Sequence, residues 1–100
     1  MKKFDIVYLR RAQEDLEGIF NYIRKDSPTH AKTWINKIDR EISRVAAFPE
    51  SGAIPKDNRI AALGYRMIII DDYLAFYLIR KHRVEIQRVL HGRQKYSFLL

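Results

Sequence analysis

Tyr65-Arg66-Met67-Ile68-Ile69-Ile70-Asp71-Asp72-Tyr73-Leu74-Ala75-Phe76-Tyr77-Leu78-Ile79-Arg80-Lys81-His82-Arg83-Val84-Glu85-Ile86-Gln87-Arg88-Val89-Leu90-His91 is the stretch that decides the fold. It is rich in β-branched and aromatic residues, and the dipeptides Asp71-Asp72 and Lys81-His82 divide it. Two-residue breaks between such runs are hairpin connections. Strands are therefore predicted at Tyr65–Ile70, Tyr73–Arg80 and Arg83–His91, as an antiparallel meander. Neither dipeptide contains glycine, which leaves the turn type open. In the first two of these strands both faces are apolar. Met67 and Ile69 alternate with Ile68 and Ile70, then Tyr73, Ala75, Tyr77 and Ile79 with Leu74, Phe76 and Leu78. An antiparallel sheet with helices on one side usually presents a polar second face to water. A cover is expected here: the chain's own tail (Phe98, Leu99, Leu100), a second copy, or a segment of another protein.

Upstream of the meander the period is helical. Ala12, Leu16, Ile19, Phe20 and Ile23 form one apolar stripe, with Glu14, Asp15 and Glu17 placing negative charge in the early turns. Pro28 ends that helix near Asp26 and opens the next, with Ser27 as N-cap and Pro28 at the first helical position. The second helix is predicted from about Pro28 to Phe48, burying Ala31, Trp34, Ile35, Ile38, Ile42, Val45 and Ala46. Pro49, Gly52 and Pro55 close it and begin a loop reaching to about Leu63. Helices joined by so short a link form an antiparallel hairpin. Residues 4–9 alternate as a first strand, with Phe4, Ile6 and Tyr8 on one face, and it is expected at a sheet edge. The predicted architecture is a single α+β domain over residues 1–100, β-α-α-β-β-β, an antiparallel sheet with a helical hairpin on one face.

Composition narrows the function. One hundred residues suit one core, and 47% hydrophobic content excludes a disordered chain. No apolar run reaches the roughly 18–20 residues of a membrane span, and no signal-peptide core follows Met1-Lys2-Lys3. A cytoplasmic location is expected. The absence of cysteine excludes a disulfide framework, and His30, His82 and His91 lack metal-ligand spacing, so no metal and no cofactor are expected. The net charge is +7, of which +2 falls in residues 1–58 and +5 in residues 59–100. Clustered positive charge points to an anionic partner such as a nucleic acid or an acidic protein.

The densest set of chemically capable side chains is Arg88-Val89-Leu90-His91-Gly92-Arg93-Gln94-Lys95-Tyr96. A histidine titrating near neutrality could act as acid or base, arginines could hold phosphate through paired donors, and a tyrosine could stack or donate a proton. A metal-free ribonuclease would use these residue types. The alternative is a histidine bonded to nearby backbone at a strand end, with solvated cations around it. Arg66 is a solitary charge in an apolar run, on the same face as Ile68 and Ile70. In a simple register Arg66, Arg80 and Arg88 could gather along one side of the sheet.

The chain resembles toxins of the RelE/ParE superfamily, the toxic half of bacterial type II toxin–antitoxin pairs. The resemblance lies in the opening strand and the helix start Arg10-Arg11-Ala12-Gln13-Glu14-Asp15-Leu16-Glu17-Gly18-Ile19. It continues through Phe48-Pro49 with Gly52, Gly64-Tyr65-Arg66, and the closing Val84-Glu85-Ile86-Gln87-Arg88-Val89-Leu90-His91-Gly92-Arg93. It implies a cognate antitoxin whose C-terminal segment wraps Tyr65–Arg80, on Tyr65, Ile68, Ile70, Leu74, Phe76, Leu78 and Arg80. A homodimer, or a heterotetramer with antitoxin, is compatible with it. Two targets follow from the two branches. RelE-like members are ribosome-dependent mRNA endonucleases, which would make Arg66, His91, Arg93 and Tyr96 catalytic. ParE-like members poison DNA gyrase and lack the nuclease residues. The Leu90-His91-Gly92-Arg93 ending and the acidic early turns of the first helix look more like the ParE branch. A third reading is an inactive homologue that only binds antitoxin.

Overall fold

The computed structural model describes residues 3–93. The chain runs β1 (Asp5–Tyr8), α1 (Arg10–Asp26), α2 (Pro28–Ala47), a 3-10 turn (Pro49–Ser51), α3 (Asn58–Ala62), β2 (Arg66–Ile70), β3 (Tyr73–Arg80) and β4 (Arg83–His91). The strands form one sheet in the order β1-β4-β3-β2. β2, β3 and β4 are the expected antiparallel meander. β1 lies at an edge, as expected, but joins β4 in parallel, Asp5 opposite Arg83 through Tyr8 opposite Ile86, so the sheet is mixed. The helical hairpin returns the chain to the end of the sheet from which β1 departed, and this fixes the relative direction. The loop after α2 also holds more structure than the sequence reading gives it, namely the 3-10 turn and α3.

Local chemistry accounts for the boundaries. Ser27 accepts a hydrogen bond from the His30 amide at 3.1 Å and Pro28 occupies the first turn, so one dipeptide both stops α1 and starts α2. Asp57 caps α3, accepting from the Arg59 and Ile60 amides at 2.9 and 3.4 Å. Each hairpin turn begins with a positive φ, 54° at Asp71 and 55° at Lys81. That sign matches the right-handed twist of the paired strands.

The core lies between the hairpin and one face of the sheet. Ala12 of α1 and Trp34, Ile38, Ile42 and Val45 of α2 meet Ile68, Ile70, Ala75, Tyr77, Val84, Ile86 and Val89. The strand register puts Met67, Ile69, Leu74, Phe76, Leu78 and Leu90 on the opposite face. This second face is largely closed: Phe76, Leu78 and Leu90 are buried. Part of the closure comes from the α3 region, where Ile60 is fully buried and a side chain built at Gly64 would touch Leu78 at 3.8 Å. Ile69 is the exception at 59% exposed.

Candidate functional site

The arginines expected to gather do not do so. Arg66, at the start of β2, turns its guanidinium onto the loop after α2 and donates to the carbonyls of Glu50 and Gly52 at 2.9 and 3.1 Å. The fully buried Tyr77 completes this clamp. Its hydroxyl donates to the Pro49 carbonyl at 2.6 Å and accepts from the Gly52 amide at 3.0 Å. Burial pushes the Tyr77 phenol up from its ordinary range, opposed by the Gly52 hydrogen bond and the positive charge of Arg66. Arg66 and Tyr77 are cross-strand partners, so the two side chains reach the loop from adjacent strands.

Arg88, two strands across from Met67, is engaged by α1 instead. A register shift between Phe76 and Tyr77 leaves Gln87 without an opposite residue. Just beyond it Arg88 meets α1, donating through Nε and a terminal nitrogen to the Asp15 carboxylate at 2.7 and 3.0 Å. The Val89 amide donates to the same carboxylate at 3.0 Å. β1 has ended by this point, and Asp15 takes the place of a ladder partner on the uncovered part of β4. The Asp15 hydrogen bond holds the Arg88 guanidinium more firmly protonated than usual, against the opposing effect of burial. Asp15, expected from its place early in α1 to complement the helix dipole, instead ties α1 to β4. Its spacing from Arg88 in the chain gives no signal of that.

Arg80 and Arg83 flank the mostly buried Glu85 at 3.7 and 3.0 Å, beside the β3–β4 turn. His82 in that turn stacks on Phe4 with ring centroids 4.4 Å apart.

His91 ends β4 opposite Tyr73, whose ring it meets edge-on at 5.3 Å. Tyr73 in turn meets Trp34 edge-on at 5.2 Å. The Arg93 amide donates to His91 Nδ1 at 3.1 Å. His91 and Arg93 are thus together, and Arg66 is far from them. Arg66 is level with Tyr77 and His91 with Tyr73, four residues along the strands and two strands across. At about 3.3 Å per residue and about 4.8 Å per strand, the Cα atoms are roughly 16 Å apart. Tyr96 lies outside the described residues. Beside His91 is a hollow of about 300 Å³ between α1 and β4, bounded by Ile19, Tyr22, Tyr73 and Arg88.

The residues named for antitoxin contact divide between two faces. Ile68 and Ile70 point under the helices into the core, whereas Leu74, Phe76 and Leu78 lie on the opposite face. Arg80 is exposed at the turn end and Tyr65 is half-buried before β2. Among the described residues no group of His, Asp and Glu has the arrangement of a metal site, and no helix is long and apolar enough to cross a membrane.

This two-layer arrangement, a helical hairpin over a β1-β4-β3-β2 sheet, is an α+β fold of the RelE/ParE kind. A solved structure described as the chromosomal ParDE TA system from P. aeruginosa superposes with a TM-score of 0.70 at 17% identity, over 91% of this chain and 98% of that one. No curated protein sequence matches the chain. Residues 6–96 match the family model described as the ParE toxin of the type II toxin–antitoxin system parDE. The chain belongs to that family and is a toxin of the type II class.

Proposed function

We propose that this toxin inhibits DNA gyrase by protein–protein contact, cuts no RNA, and is held inactive by a cognate antitoxin that wraps it. The supporting observation is the separation of Arg66 from His91 and Arg93, with which a nuclease would need it to converge. Arg66 is spent on the Glu50 and Gly52 carbonyls, about 16 Å from His91 by strand geometry, and Arg88 is spent on Asp15. Stabilising a pentavalent phosphate needs donors aimed at one point about 3 Å away. Membership of the ParE family supports the same reading, and a gyrase target would be met in the cytoplasm.

Inducible expression of the chain alone in bacteria, with a translation-rate readout and a DNA-damage reporter in one culture, tests this reading. The expected result is damage signalling while translation initially continues, with His91→Ala as toxic as wild type. Rapid translation arrest without damage, abolished by His91→Ala, would replace it with the nuclease. A soluble, folded chain that leaves growth unaffected would leave only an antitoxin-binding homologue.

A further inference from the structure

The cations behind the C-terminal charge surplus are not spread evenly over the described residues. Arg59 pairs with Asp57, Arg88 with Asp15, and Arg66 is turned onto the Glu50 and Gly52 carbonyls. Arg93 follows His91 at one end of the sheet. At the other end Arg80, Lys81 and Arg83 stand together around the β3–β4 turn, with His82 among them, and all four are exposed. Lys3, also exposed, directly precedes Phe4, whose ring stacks on His82. The carboxylates on these strands are Asp5, opposite Arg83, and Glu85, so four cations stand against two acids.

Packing alone does not account for this tip. Arg80 lies directly opposite Arg83 in the register, and like charges so placed destabilise a strand pair. Glu85 offsets the repulsion. It is mostly buried, accepts from Gln87 Nε2 at 3.3 Å, and lies 3.0 Å from a terminal nitrogen of Arg83 and 3.7 Å from Arg80 Nε. Neither contact is a two-bond fork, so both guanidiniums keep donors to offer outward. Their side chains are 61% exposed at Arg80 and 49% at Arg83. Lys81 has no ion-pair partner among the described residues. The turn itself is fixed against the start of β1, by the stack of His82 on Phe4 and by the Asp5 amide, which donates to the His82 carbonyl at 3.1 Å. The cations are therefore presented on a held tip.

The other hairpin tip, Asp71-Asp72, is acidic, and the eight residues of β3 separate the two. At about 3.3 Å per residue the tips are roughly 25 Å apart, about three Debye lengths at physiological salt. The acidic tip is too far away to neutralise the basic one, but the polarity of the sheet turns the basic end toward a polyanion.

We propose that the β3–β4 tip is a contact for the phosphate backbone of duplex DNA, made by Arg80, Lys81 and Arg83 without regard to base sequence. The tip offers guanidinium donors and no apolar anchor, which suits phosphate better than an acidic protein, since protein interfaces deplete lysine and centre on buried aromatic side chains. β1 begins level with Arg83, so the tip has a flank that keeps it from entering a groove and leaves it contacts with phosphate alone. This adds a contact to the gyrase reading, and rests on it only for why DNA is at hand where the toxin acts.

The test is fluorescence anisotropy of a short labelled duplex of mixed sequence, titrated with the full chain. Binding with Kd of about 1–100 μM is expected, and three phosphate contacts give a log–log salt slope of about −3. Lys81→Ala should weaken binding about fivefold and reduce the slope by about one, and Arg80→Gln should do the same. Arg83 still holds Glu85 in the second variant, and Lys81→Ala breaks no ion pair, so it carries the test where Arg80→Gln fails to fold. Lys32→Ala is the control. It is exposed near the start of α2, about 21 Å along the helix from Ala46, whose carbonyl meets the Phe4 amide beside the tip. No anisotropy change at low salt, an equal loss in Lys32→Ala, or displacement of the duplex by polyglutamate as readily as by unlabelled DNA would each overturn the proposal, the last in favour of an acidic protein. None of these readouts involves gyrase or toxicity, so failure of the gyrase reading and failure of this one are separable.

Discussion

Replacing Tyr77 by Phe removes one oxygen from the interior, and the structure gives the cost. That hydroxyl donates to the Pro49 carbonyl at 2.6 Å and accepts from the Gly52 amide at 3.0 Å. The ring is fully buried, so its packing survives in the phenylalanine. What is lost is satisfaction of two part-buried backbone groups, each costing about 1–3 kcal/mol when orphaned. Water entering from the loop surface recovers some of this, so the expected destabilisation is about 2–4 kcal/mol. For a domain of this size that corresponds to a fall in Tm of roughly 10–25 °C. Urea denaturation should show a lower midpoint with unchanged slope, and hydrogen exchange should show the Gly52 amide losing protection. Gly52→Ala attacks the same clamp from the loop side. A Cβ there would collide with the Tyr77 hydroxyl and lie 2.7 Å from its Cε1, so the loop or the ring must move. A Tyr77→Phe protein within about 0.5 kcal/mol of wild type, its Gly52 amide still protected, would refute the claim that this hydroxyl holds the loop.

Three further expectations follow from other parts of the molecule. Asp15→Ala leaves the Arg88 guanidinium and the Val89 amide without their carboxylate; it should cost about 2–4 kcal/mol by denaturation, near the lower range for buried pairs because both groups keep some solvent contact. Trp34→Ala empties the centre of the α2 face and should cost about 3–5 kcal/mol. Trp34→Phe should cost much less, because Trp34 Nε1 is buried with no hydrogen-bond partner among the described residues and loses none there. At alkaline pH the sign is fixed by Tyr8, pushed up to about 12 by burial and secondarily by the nearby Asp39 carboxylate. The unfolded phenol ionises near pH 10 while the folded one keeps its proton. Stability should be level below about pH 10 and fall between pH 10 and 12, by about 1 kcal/mol once the solvent screening of this partly exposed ring is allowed for. Urea midpoints across that window should show a shallower fall in Tyr8→Phe.

The sequence alone determined what depends on neighbours along the chain. Period and punctuation placed both helices, the Ser27-Pro28 junction and the three meander strands, because capping, proline geometry and side-chain alternation act over a few residues. The charge surplus and the apolar second face were equally legible. Gly64-Tyr65-Arg66 and the closing Leu90-His91-Gly92-Arg93 carried enough of a family pattern to name the superfamily. Contacts between residues distant in sequence were decided only by tertiary structure. The parallel union of β1 with β4 depends on where the helical hairpin returns the chain. The pairing of Asp15 with Arg88 spans 73 positions and depends on the register shift in β4. The arginines scatter because each satisfies a different local need: carbonyls of a loop for Arg66, a carboxylate on α1 for Arg88, and Glu85 for Arg80 and Arg83. Alternation says which residues share a face of one strand, but sheet order and register, set by global packing, decide which strand edge remains open.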